Sequence, residues 1–202
     1  KDQININKSV LGNYEKKALN YMQSGNLRKA EEIYSSFLKK NIFSESLINN
    51  LSEIYFKTDQ KDKLIYCLKK GVESYGDSLN LLYKLANSYK KYNSKEDALE
   101  IYKKILEKTP KEVNLICNIA QIYKELGNYE MAIYFLKSAS EIKPNSVEIK
   151  SNLAFLHNDV GELETAISIY KEALYLKPNN GIIWANLGIS YLGNCENNLA
   201  IK

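Results

Sequence analysis

The sequence has little of what most catalytic centres draw on. It holds one histidine, His157, and three cysteines, Cys67, Cys117 and Cys195. A Ser/His/Asp or Cys/His nucleophile set would have to be assembled around that lone imidazole. No CxxC pair or zinc-ligand spacing occurs, and there is no GxGxxG or GxxxxGK[ST] phosphate loop. No cofactor, no metal and no enzymatic activity are therefore expected within this stretch. The cysteines are odd in number and far apart, which predicts free thiols in a reducing, cytoplasmic compartment and not a disulfide framework. A membrane span needs about 18 or more consecutive apolar residues, and the chain has no such run. Residues 1–10, KDQININKSV, lack an initiating Met and a signal-peptide pattern. The chain begins and stops abruptly, so the expectation is an excised piece of a longer protein. Neither sign of charge dominates: 28 Lys and Arg against 24 Asp and Glu leave a net charge of +4, which compels neither a nucleic-acid nor a membrane partner.

Proline is also scarce, and its placement is informative. The three prolines, Pro110, Pro144 and Pro178, stand at equal intervals. The same interval organises the rest of the chain. Units begin at Leu11, Glu45, Leu79, Val113, Val147 and Gly181 without insertion. Their eleventh slot holds Tyr21, Tyr55, Tyr89, Tyr123, His157 and Tyr191. Their eighth slot is always small: Ala18, Ser52, Ala86, Ala120, Ala154 and Gly188. The twentieth holds Ala30, Leu64, Ala98, Ala132, Ala166 and Ala200, and the fourth holds Tyr14, Ile48, Leu82, Ile116, Lys150 and Trp184.

Within a unit the apolar spacing is helical. In Val147–Asn180, Leu153, Ala154 and His157 fall at i, i+1 and i+4; Ala166, Ile169, Tyr170 and Ala173 fall at i, i+3, i+4 and i+7. Gly161 between the two patterns suits a helix C-terminus, and Pro178 ends the second helix. Two short helices so joined pack antiparallel, and the apolar surface they leave must be covered by the next copy. The predicted architecture is a polar lead-in over 1–10, then one continuous solenoid of units 11–44, 45–78, 79–112, 113–146, 147–180 and a partial 181–202. Turns are expected at Gly25-Asn26, Gly127-Asn128 and Gly161. In the last unit Cys195 stands where glycine is expected, which predicts a turn displaced to Gly193-Asn194. Ser44 is a predicted N-cap, Asp59 a predicted cap of the helix after it, and Ser94–Asp97 a capping box. Gly71 falls inside a helix at a cost of about 1 kcal/mol, so the second unit is expected to be the most loosely packed.

The period and the slot pattern resemble the tetratricopeptide repeat, whose signature runs Trp, Leu-Gly, Tyr, Ala, Phe and Pro over about 34 residues. The last unit resembles it most, with Trp184, Leu187, Gly188 and Tyr191. Departures are local: Lys17 and Lys150 replace apolar residues, and Leu64, Gly71 and Gly76 stand where Ala, Ala and Pro are usual. The resemblance implies an all-α fold, a right-handed superhelix of antiparallel helix hairpins, whose first helices line a concave groove. It implies a non-catalytic interaction scaffold that binds a peptide or partner protein. The alternative it leaves open is a substrate-recruiting arm of a larger enzyme, such as a glycosyltransferase.

Under that resemblance the sixth slot faces the groove and supplies Lys16, Asn50, Lys84, Asn118, Asn152 and Asn186. Asn offers donors and an acceptor together, so such a row is suited to holding an extended peptide backbone, as in the asparagine ladder of O-GlcNAc transferase arms. The same residues can instead steady the helix stack. Asn87, Gln121 and Phe155 join Asn50, Lys84, Asn118, Asn152 and Asn186 as candidate groove contacts, with Phe56 as a second aromatic. A carboxylate clamp is not expected, because Glu15 and Glu148 fall where cations are needed. Nucleic-acid binding is not expected either, since no base-reading code is visible. Self-association through the apolar seam of the last unit is expected as a further contact.

Overall fold

The computed structural model describes residues 8–200 apart from 41, 43 and 77. Eleven helices occur among the described residues: α1 (Lys8–Gln23), α2 (Leu27–Lys39), α3 (Glu45–Lys57), α4 (Lys61–Ser74), α5 (Leu79–Lys91), α6 (Lys95–Lys108), α7 (Val113–Glu125), α8 (Tyr129–Ile142), α9 (Val147–Asp159), α10 (Leu163–Leu176) and α11 (Gly181–Ala200). The chain divides into two compact units, residues 1–101 and 102–202. Residues 1–7 of the expected lead-in lie outside the described residues, and α1 already begins at Lys8.

In the first unit α1 packs on α2, α2 on α3, α3 on α4 and α4 on α5. In the second, α7 packs on α8, α8 on α9, α9 on α10 and α10 on α11. The complete hairpins close on small residues, except the second, where Leu64 takes the twentieth slot. Ala18, Ala30, Ala86, Ala98, Ala132, Ala154 and Ala166 have no exposed surface at all. A methyl in these slots lets two helices approach closely, and the larger apolar side chains beside them fill the space on either flank.

One backbone device ends the first helix of all five complete hairpins. The residue in the fifteenth slot has positive φ: Gly25 (79°), Asp59 (55°), Asn93 (60°), Gly127 (75°) and Gly161 (82°). The next amide then reaches back to the carbonyl of the eleventh slot, Asn26 to Tyr21 (2.8 Å), Gln60 to Tyr55 (2.9 Å), Ser94 to Tyr89 (2.9 Å), Asn128 to Tyr123 (2.9 Å) and Glu162 to His157 (2.8 Å). This is the left-handed C-cap that satisfies orphan carbonyls at a helix end. Gly, Asn and Asp are the residues that adopt it at least cost.

The structure departs from two of these expectations. Asp59 does not cap α4. Its backbone forms the turn, Gln60 takes the N-cap position without a side-chain bond, and the Asp59 carboxylate accepts from Lys91 Nζ and the Tyr92 hydroxyl, both at 2.8 Å. The turn expected at Gly193-Asn194 is absent, and α11 runs through it to Ala200. Cys195 occupies the fifteenth slot, and a cysteine has no ready access to positive φ. Ser44 does cap α3, accepting from the Leu47 amide at 3.1 Å.

Gly71 also differs from its expected role. It is fully enclosed within α4, and a Cβ there would lie 2.7 Å from Ile48 Cγ2 and 3.2 Å from Leu81 Cδ1. The glycine admits a close approach of α3 and α5, so the second hairpin is tightly packed at this point. Alanine would gain about 1 kcal/mol of helix propensity, but it would displace a β-branched methyl of a residue with no exposed surface. Overpacking of that kind costs about 1–3 kcal/mol.

Candidate functional site

The sixth-slot residues have different surroundings in successive hairpins, and the cause is the residue sixteen positions earlier, in the twenty-fourth slot. That slot alternates: Tyr34, Leu68, Tyr102, Leu136, Tyr170. At Tyr34 and Tyr170 the ring is buried and its hydroxyl reaches the next hairpin. The Asn50 amide donates to Tyr34 Oη at 3.1 Å, and the Asn186 amide donates to the hydroxyl of Tyr170. Burial raises the Tyr170 phenol to about 12, with the Asp159 charge adding to this and the Asn186 bond opposing it. These two asparagines are thus engaged in holding neighbouring hairpins together. Asn118 follows Tyr102 at the same spacing and is half-buried.

Where the slot is leucine, the space the phenol would fill is open. In the first unit a cavity of about 340 Å³ lies over Leu64 and Leu68, with Lys84, Asn87, Phe56 and Glu53 in its walls. In the second unit Leu136 underlies a much smaller space of about 30 Å³, walled by Gln121, Lys124, Asn152 and Phe155. The structure therefore brings Lys84 and Asn87 together at one pocket, and Gln121, Asn152 and Phe155 at the other. Asn50 and Asn186 stand apart, bonded to tyrosines.

The aromatic rims match. Lys91 Nζ stands 4.2 Å from the ring centroid of Phe56, and Lys124 Nζ 4.3 Å from that of Phe155. Both are within cation–π range. Phe56 remains 47% exposed, and Phe155 is half-buried. Around the larger pocket, Glu53 pairs with Lys57 at 2.6 Å and Lys91 with Asp59 at 2.8 Å. Lys84 is different. It is half-buried, and its Nζ donates to the backbone carbonyl of Asn49 at 3.4 Å. Burial holds its ammonium below the usual lysine range, partly offset by the Glu53 charge.

His157 occupies the buried tyrosine slot, as expected, with 3% exposure. Its Nδ1 lies 2.5 Å from Glu162 Oε2, and its Nε2 is buried without a hydrogen-bond partner among the described residues. The three cysteines are free thiols; burial lifts Cys67 to about 12 and also raises Cys117. Among the described residues, no helix is long and apolar enough to cross a membrane. The last helix exposes Ile182 (75%), Ile189 (58%) and Leu192 (69%).

The alternation of the twenty-fourth slot is visible in the sequence but carries no message there, since Tyr and Leu both read as core. Only the position of the phenol relative to the next sixth-slot side chain gives the exchange its meaning.

Family models for the tetratricopeptide repeat match residues 113–146 and 147–180, and a further one matches 81–111. No curated protein matches the sequence. Among solved structures, MamA of AMB-1 superposes with a TM-score of 0.69 at 20% identity, covering 90% of this chain and 99% of that one. MamA of MSR-1 gives 0.64 at 21%, covering 82% and 95%. YrrB, described as a TPR protein with an unusual peptide-binding site, gives 0.68 at 14%, covering 86% and 89%. At these identities the likeness is one of fold.

Proposed function

Starting from the fact that the chain belongs to the tetratricopeptide-repeat family, we propose that it is a non-catalytic scaffold in which the first helices of each compact unit line a groove that binds an extended peptide or a peptide-like segment of a partner protein. The observation that carries this reading is the convergence of polar and aromatic side chains on small cavities at the first helices. Lys84 and Asn87 do this in one unit, and Gln121, Asn152 and Phe155 in the other. Asn87, Gln121 and Asn152 are exposed, whereas Asn50 and Asn186 are half-buried against their tyrosines. Asn and Gln can pair with both the N–H and the C=O of a peptide backbone. A neighbour of the same fold, YrrB, is described as having a peptide-binding site, which supports the same use here. The free thiols are in keeping with a cytoplasmic setting.

The test is a displayed random-peptide library selected on the immobilised 202-residue chain. Selected peptides are expected to lose about tenfold or more in affinity to a variant carrying Asn87→Ala, Gln121→Ala and Asn152→Ala, a loss typical of a few central interface contacts. Being surface changes, these should each alter stability by no more than about 0.5 kcal/mol. Asn50→Ala should do the reverse, lowering the melting temperature and leaving binding intact. A library that yields no binders, or binders indifferent to the triple substitution, would remove the groove reading.

The exposed apolar residues of α11 support a second contact, with another copy of the chain through Ile182, Ile189 and Leu192. Sedimentation velocity over a wide concentration range should show association that Leu192→Lys abolishes. A monomer at every concentration would exclude it.

A further inference from the structure

The larger of the two pockets narrows the kind of peptide that the groove takes. We infer that the pocket over Leu64 and Leu68 receives an aromatic or branched apolar side chain of an extended peptide, whose adjacent acidic residue pairs with Lys84. This rests on the peptide-binding proposal and narrows it.

The twenty-fourth slot makes the pocket. Tyr34 and Tyr170 bury their rings in that slot and end on the next hairpin's asparagine. Leu68 lacks the ring's outer half and its hydroxyl. The sixth-slot residue opposite is Lys84, with no phenol to bond, and a volume of about 340 Å³ is left open. That is at the lower end of ligand pockets, which run from about 300 Å³, and it suits one large side chain. The Leu136 pocket has the same origin but only about 30 Å³, near the share of a single water. Phe155, in its wall, occupies the slot that Asn87 holds in the first, so a ring stands where the first pocket has a smaller side chain. The first pocket is therefore the open one.

Its chemistry is mixed in a definite way. The floor is Leu64 and Leu68 and one wall is Phe56, so an apolar group entering it covers apolar surface and loses part of its own contact with water. The mouth carries Lys84. Lys57 and Lys91 nearby are already neutralised, by Glu53 and by Asp59. Lys84 has a backbone carbonyl for a partner and has lost part of its hydration. A carboxylate brought to it would replace the missing water with a charge-assisted hydrogen bond. Lys84 therefore selects an acidic neighbour, while the charge of Glu53 beside the pocket is offset by its pair with Lys57.

Three fluorescein-labelled nine-residue peptides, otherwise of Ser and Thr, test this by anisotropy on the intact chain. One has Phe-Asp at its centre, one Phe-Lys and one Ala-Asp. The Phe-Asp peptide is expected to bind best, by about tenfold over each of the others. Leu68→Tyr should close the pocket as tyrosine does in the other hairpins and abolish that preference for Phe. Lys84→Asn, which copies the residue at Asn50 and leaves the core untouched, should abolish the preference for Asp over Lys and keep that for Phe. If the three peptides bind alike, or if Phe-Asp binds Leu68→Tyr as it binds the parent, the pocket assignment is wrong. In either case library-selected peptides that still respond to Asn87, Gln121 and Asn152 would leave the groove reading standing. A library without binders removes both.

Discussion

Replacing Tyr170 by alanine is expected to cost about 4 kcal/mol, with the loss confined to the end of the chain that holds it. The ring is 1% exposed and lies within a cluster of Ala154, Ala166, Ile167, Ala173, Leu174, Ile183 and Leu187. Emptying a site of that size costs about 3–5 kcal/mol, transfer and cavity together. The hydroxyl adds to this, because its bond to Asn186 joins α10 to α11. Tyr170→Phe isolates that part and should cost about 1 kcal/mol. The location of the effect is as informative as its size. In a repeat protein each hairpin contacts its neighbours alone, so stability is a sum of local terms. Native-state hydrogen exchange should therefore speed up by about a thousandfold in α10 and α11 of Tyr170→Ala and stay nearly unchanged in α7. Equal acceleration in all helices would show a single cooperative core in place of stacked hairpins.

Gly161→Val is expected to cost about 2 kcal/mol, although nothing surrounds the site. A Cβ built on Gly161 meets no atom within 4 Å, but the residue has φ of +82°. The cost is therefore entirely one of backbone conformation, about 1–2 kcal/mol for a side chain forced into the left-handed region and toward the upper end for a β-branched one. Gly188 is the control. It also has open space around a Cβ, yet it sits within α11 without positive φ. Gly188→Ala should stabilise by about 1 kcal/mol, since it gains helix propensity. Thermal and urea unfolding of the two variants should move in opposite directions. A shift of the same sign in both would mean that the fifteenth-slot turn is not what ends these helices.

That contrast shows where sequence reading succeeds and where it stops. The hairpins are legible because the quantities that define them are local and periodic. Small residues in the eighth and twentieth slots, an aromatic in the eleventh and a turn residue in the fifteenth each act within a few residues of where they stand. Even the one absent turn, at Gly193-Asn194, follows the rule once Cys195 is seen to lack access to positive φ. Gly71 misleads a sequence reading because its reason lies in Ile48 and Leu81, residues on two other helices.

The candidate site divides in the same way. The sequence alone determined the repeat, its helical hairpins and the row of sixth-slot side chains, because an unbroken period reproduces each local environment. The tertiary structure decided which members of that row are committed to packing and which surround open space. Asn50 and Asn186 look identical to Asn152 in the sequence, but tyrosine hydroxyls from the preceding hairpins claim the first two. Leu68 and Leu136 have no hydroxyl to offer theirs, and the next hairpin's Phe155 then narrows the second opening. Such outcomes depend on how far a ring reaches across an interface between helices. That distance is fixed by packing among several elements, so no single stretch of chain contains it.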